Sequence, residues 1–423
     1  MIATVNRVAY PAFTHVRLGS RIVRKSQRKW LRPLALVAGG CLLLSGCAQF
    51  DDTVAEQTYA PAPQLTPQAG PKPQLPDIAG GSDAGTPGGP RTSPTPVPPP
   101  QGCKDFDPAV IGTCMDTVTA IAGLPGDGTA PAALAGERKS GRILQVVAGK
   151  DPAPYATVAV NATGDGGLTG LALSPSYVED QLVFAYVTTA TDNRVVRIAK
   201  GQEPKPVLVG IPKGATGNHG AIVTDPKGAL LVATGDAGNP ANAADPNSLA
   251  GKVLRIDPSG KAAAGNPTAG SLVYASGLHT PGGLCGSADG SRFWVTDRPG
   301  DKDVMYRLLP GRPLTVPAWT WPDKPGVAGC ADFSDFLVVA GSTAANLQNL
   351  PVAPDGSISG KPTVSNDGKS GSPTYGRVAG ISMISPDIAV SGTVNKDGGT
   401  TVSSDDRALL ITRSQSPAGN NKD

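Results

Sequence analysis

Charge and aromatic side chains are scarce in this chain. Of 423 residues, 17% are charged and 4% aromatic, and there are three histidines, His15, His219 and His279. With so few rings, a core has to be built from Val, Leu, Ile and Ala. No long amphipathic helical pattern occurs, which leaves strands as the working element. The apolar run Leu34–Leu44 is roughly 11 residues, too short to span a bilayer. Basic excess is missing too. Eight of the 37 Lys and Arg fall in the first 46 residues, leaving 29 basic against 34 acidic residues beyond them. That balance gives no support for nucleic-acid binding. What is abundant is Gly, 54 residues, and Pro, 42, the mark of a chain with many turns.

The N-terminal stretch reads as a leader. Arg21, Arg24, Lys25, Arg28, Lys29 and Arg32 precede the apolar run, which ends in Leu44-Ser45-Gly46-Cys47. Basic segment, apolar run, small residues and Cys come in the order of a signal peptide, and the ending resembles a bacterial lipobox. The expectation is a signal peptide over 1–46, acylation of Cys47, and a protein anchored by lipid to the outer face of the cell membrane. The alternative is an ordinary secretory signal with a chance Cys. Residues 47–101 are Pro-rich with almost no large apolar side chains, so they read as a disordered, extended linker. Beyond it stand Cys103, Cys114, Cys285 and Cys330. Outside the cytoplasm an even number implies disulfides. Of three pairings, Cys103–Cys114 with Cys285–Cys330 is the expected one. No CxxC spacing and few His argue against a metal site there.

From about Cys103 the chain repeats. The strands Arg142–Val146, Arg194–Ile198, Lys252–Ile256 and Asp303–Arg307 start 52, 58 and 51 residues apart. A period near 50 with several short strands per unit predicts propeller blades. The clearest unit contains Thr216–Gly238: an apolar strand from Gly220, an Asp225-Pro226-Lys227-Gly228 turn, and a second strand Leu230–Ala233. Fourth strands are expected near Pro206–Val209, Leu272–Ala275 and Leu314–Trp319. Six units follow: 115–163, 164–212, 213–277, 278–325, 326–371 and 372–415, the last two blurred. The predicted fold is all-β, a six-bladed propeller over 102–423; a β-sandwich is the rival, but needs no such period. His219 and His279 both stand just before a blade's first strand, a station that faces the channel mouth.

Gly217-Asn218-His219-Gly220, Thr234-Gly235-Asp236-Ala237-Gly238-Asn239 and Gly277-Leu278-His279-Thr280-Pro281-Gly282-Gly283 carry a resemblance. Together with Glu137-Arg138 and Trp294–Gly300, they resemble the soluble glucose/sorbosone dehydrogenases over about 115–325. The layout of leader, linker and propeller is similar to that of actinobacterial lipoproteins carrying such a domain. The resemblance implies a six-bladed propeller that oxidises a sugar or aldehyde with pyrroloquinoline quinone and calcium. It makes His219 the general base, and His279, Thr280, Asn218 and Arg298 contacts to the cofactor.

Two blocks depart from the family. Where it has an Arg-Asn pair before the Pro, this chain has His279-Thr280. Its Glu-His-Gly-Pro turn, whose carbonyls hold calcium, reads Asp297-Arg298-Pro299-Gly300 here. Asp301 and Asp303 are the carboxylates available for Ca²⁺, or else members of a solvated loop. Gly235-Asp236 reads as a tight structural turn, and Trp319 and Trp321 as blade-edge packing or a sugar platform. A second reading is a propeller without chemistry that binds an envelope glycan or protein. A calcium-dependent lactonase would need a cluster of Asp, Asn and Glu that the sequence lacks.

Overall fold

The central hairpin forms as its sequence dictates. Gly220–Asp225 and Ala229–Thr234 pair antiparallel with Ile222 opposite Val232. Gly228 closes the turn at φ +86°, its N–H bonded to the Asp225 carbonyl. This computed structural model describes residues 97–413, apart from 127–128 and 370–371. The expected signal peptide, Cys47 and nearly all of the linker lie outside the described residues.

The described strands make six four-stranded antiparallel sheets. The innermost strands are Val118–Gly123, Leu168–Leu173, Gly220–Asp225, Pro281–Gly286, Val327–Asp332 and Val378–Ser385, for blades 1 to 6 in order. Each packs on the next, and the sixth packs on the first, so the ring closes. The only helices among the described residues are the single turns Tyr177–Asp180 and Ala241–Ala244. No described helix is long and apolar enough to cross a membrane.

Two details differ from the sequence reading. The outer strand of blade 4 is Trp319–Trp321, displaced from the expected 314–319. The outer strand of blade 6 comes from the other end of the chain: Val110–Gly112 pairs with Ala408–Thr412, Val110 facing Leu409. A strand borrowed across nearly 300 residues leaves no local pattern in the last repeat.

The core lies between blades. Phe184, Tyr186, Val195 and Ile211 of blade 2 pack on Ile222, Leu230, Val232 and Leu254 of blade 3. Near the axis the strands approach too closely for side chains. A Cβ on Gly329 would lie 2.3 Å from the Ile381 nitrogen, and one on Gly283 would lie 2.6 Å from the Gly329 Cα. Both expected disulfides form. Cys285–Cys330 ties the innermost strands of blades 4 and 5. The same pair of blades is clamped by Asp332, which accepts Arg292 at 2.7 Å and the Trp294 indole at 3.0 Å.

Candidate active site

One end of the channel gathers the titratable side chains. The loop before blade 3 is built on Gly217, whose φ is +67° and whose missing Cβ would sit 2.6 Å from Asp236 Oδ1. That contact interlocks the loop with the end of the blade's second strand, where the Ala237 N–H bonds the Gly217 carbonyl at 2.9 Å. Asp165, just before blade 2, then fixes the next two residues. Its carboxylate accepts the Asn218 N–H at 3.1 Å and the His219 N–H at 3.3 Å. Asn218 is fully buried, and its carboxamide both donates to and accepts from the Gly214 backbone at 2.9 Å. Its side chain serves the loop rather than the mouth.

His219 is thereby aimed across to blade 4. Its Nδ1 lies 2.8 Å from the Pro281 carbonyl. A carbonyl only accepts, so Nδ1 carries the proton and Nε2 keeps the lone pair. Burial, and then the charge of Arg298, push His219 from 6.5 down to about 4, against the pull of Asp165 and the Pro281 carbonyl. At neutral pH this imidazole is uncharged and an acceptor.

His279 holds the reciprocal position. Its Nδ1 donates to Asp236 Oδ2 at 3.0 Å, with the ring 32% exposed. The sequence reads Asp236 as a turn residue. It does make the turn, accepting the Gly238 N–H at 2.8 Å, and it also orients His279. Asp297, fully buried, accepts the Thr280 N–H at 2.7 Å and the His279 N–H at 3.1 Å. Burial raises the Asp297 carboxyl to about 6 despite these amides. Thr280 is thus pinned through its backbone, its carbonyl also taking the Arg298 N–H at 3.2 Å.

Arg298 stands next in the turn. Burial lowers its proton affinity, opposed by the charges of Asp303, Asp297 and Asp165. Its Nε is buried with no hydrogen-bond partner among the described residues. Arg377, directly before the innermost strand of blade 6, donates from Nη1 to the Asp397 carbonyl at 2.7 Å and likewise has a buried Nε without a partner among the described residues. Arg138, by contrast, is spent: it donates to the Ala162, Gly164 and Gly166 carbonyls and to Asp397 at 2.8 Å. Asp165 and Arg377 escaped the sequence reading. Both occupy the station that singled out the two histidines, just before a first strand, and that rule would have found them.

The carboxylates offered for a cation are placed otherwise. Asp303 is 2% exposed, its Oδ2 taking the amides of Gly326 and Val327 at 2.6 and 2.9 Å. The Asp301 side chain is 75% exposed, with Lys302 at 3.8 Å. Among the described residues no three His, Cys, Asp or Glu side chains cluster as metal ligands. Trp321 packs between blades 4 and 5 with Trp319 against the same cluster, so these rings are core. A cavity of about 750 Å³ opens at the opposite end of the channel, lined by Ile121, Leu171, Ile222, Leu284 and Met383, and includes neither histidine.

Comparison with known proteins agrees with this fold. Residues 119–320 match the glucose/sorbosone dehydrogenase family model. The aldose sugar dehydrogenase YliI of Escherichia coli K12 is 26% identical over 179 residues, 38% of this chain and 48% of that relative. The chain therefore spans about half the length of the curated relative it matches. The PQQ-bound form of an aldose sugar dehydrogenase from Streptomyces coelicolor superposes with a TM-score of 0.65 at 28% identity, covering 74% of this chain and 99% of the other. The apo form of the soluble aldose sugar dehydrogenase from Escherichia coli shares the fold, with a TM-score of 0.60 at 19% identity over 72% of this chain and 99% of that one. The protein is a six-bladed propeller, similar over residues 119–320 to the glucose/sorbosone dehydrogenases.

Proposed function

We propose that this propeller oxidises a sugar or aldehyde with pyrroloquinoline quinone bound at the histidine end of the channel. The observation that carries the reading is the state of His219: Nδ1–H is held by the Pro281 carbonyl, which leaves Nε2 as a neutral acceptor beside Arg298. Such a nitrogen takes the proton of the hydroxyl on the carbon being oxidised. The quinone, when bound, supplies the acceptor for the hydride that leaves that carbon. The mouth suits an anionic quinone because Arg298 and Arg377 each keep a buried N–H without an acceptor among the described residues. Asp165 positions His219 through its backbone, and Asp236 does so for His279 through its ring. A sugar is the substrate class that the relatives favour, two of them being aldose sugar dehydrogenases by description.

The experiment is dye reduction by the quinone-loaded full chain across a panel of aldoses and simple aldehydes. Turnover with at least one aldose is expected, and absence of turnover across the panel overturns the reading. The same proposal places the enzyme on the outer face of the membrane through acylated Cys47. Cys47→Ser is expected to move it from the membrane to the soluble fraction; retention on the membrane contradicts the anchor.

A further inference from the structure

Among the described residues the mouth offers no cluster of carboxylates to a divalent cation; Asp301 stands exposed beside Lys302, and the buried carboxylates are already engaged. Asp165 is taken by the amides of Asn218 and His219, Asp297 by those of His279 and Thr280, and Asp303 by those of Gly326 and Val327. Asp397 is paired with Arg138 at 2.8 Å and Lys139 at 3.1 Å. The Asp297-to-Gly300 turn is also closed to a metal. The Gly300 carbonyl accepts the Lys324 ammonium at 2.7 Å, and Arg298 projects from the same turn. Calcium, a hard cation that needs six to eight oxygens, does not fit this set.

Fixed positive charge remains. Arg298 and Arg377 arrive from blades 4 and 6, and the Arg377 charge lowers the proton affinity of Arg298. Each has a buried guanidinium Nε with no acceptor among the described residues, while Arg377 Nη1 donates to the Asp397 carbonyl at 2.7 Å. Two guanidinium groups with permanent charge at one end of the channel, each with an unpaired Nε–H, call for an anion with separated oxygens. A dication beside them is repelled.

We infer that this mouth binds a planar polycarboxylate on Arg298 and Arg377 themselves, with no divalent cation as a bridge. As it concerns a quinone, the inference rests on the function proposed above. The site itself needs only the anion.

The test is equilibrium binding of two probes to the purified full chain, with millimolar calcium or with a chelator. One probe is pyrroloquinoline quinone, followed by its absorbance. The other is trimesate, a planar tricarboxylate without a quinone, followed calorimetrically. Affinities within about twofold in the two buffers are expected for both. Arg298→Gln and Arg377→Gln should each weaken binding by about tenfold or more at an unchanged melting temperature. Arg298→Lys, which keeps charge but loses the fork, should fall between. Tightening of about tenfold or more by calcium, or variants that bind like the parent, overturns the inference. Metal-free binding of trimesate with no binding of the quinone keeps the anion site and removes the dehydrogenase reading instead. Failure of both probes removes both.

Discussion

His219 is an imidazole held neutral by its surroundings. Its ring is half-buried, its Nδ1–H is fixed on the Pro281 carbonyl, and Arg298 opposes any charge on it. Protonation in the folded state is therefore expected only as the pH falls through about 4. An unfolded His takes its proton near 6.5, so acidification from about 6.5 toward 4 favours the unfolded chain at this site. Asp297 works in the other sense. Its raised pKa lets the folded state bind a proton as the pH falls through about 6, which offsets part of that loss. The chain has three histidines, so nitrogen-15 NMR of the imidazoles resolves the claim. One ring should show the Nδ1–H tautomer and stay neutral to about pH 4. Titration of every ring near 6.5 would contradict it.

At the scale of the element, the mouth is held by blade-to-blade ties rather than by single blades. The innermost strands of blades 4 and 5 carry the disulfide Cys285–Cys330, which closes a loop of 45 residues. Chain-entropy reasoning gives such a loop about 4 kcal/mol. Arg292 and Trp294 add hydrogen bonds to buried Asp332. Replacing Cys285 and Cys330 with Ser should therefore lower stability by about 2–4 kcal/mol in denaturant titration, with the quinone affinity little changed, since neither Cys lines the histidine end. A large loss of quinone binding at intact stability would mean that the tie shapes the site directly. Gly329 and Gly283, packed backbone to backbone beside it, show why this seam carries no larger residues.

At the scale of the molecule, the ring and its site were legible to different degrees. The period near 50 revealed the blades because each repeats the same turn and strand chemistry. The two histidines were legible because the period places them at one station. Asp236 was seen, but a Gly-Asp turn hides that its second carboxylate oxygen reaches His279 in the next blade. Arg377 was lost because its blade is the one whose outer strand, Val110–Gly112, is supplied by the other end of the chain. Asp303 had the composition of a metal ligand, and only the fold shows that two backbone amides occupy its inner oxygen. Sequence carries residue types and spacing; partners across a blade boundary arise from ring closure.

The measurement that bears most directly on the account is the single-turnover bleaching of the bound quinone by an aldose, for the parent chain and for His219→Gln, from pH 4 to pH 8. The account predicts a rate in the parent that holds across neutral pH and declines only as His219 is protonated near pH 4. It predicts a rate in His219→Gln that is about 10²–10⁴-fold lower, with the quinone still bound. A His219→Gln protein that bleaches its quinone as fast as the parent would contradict it.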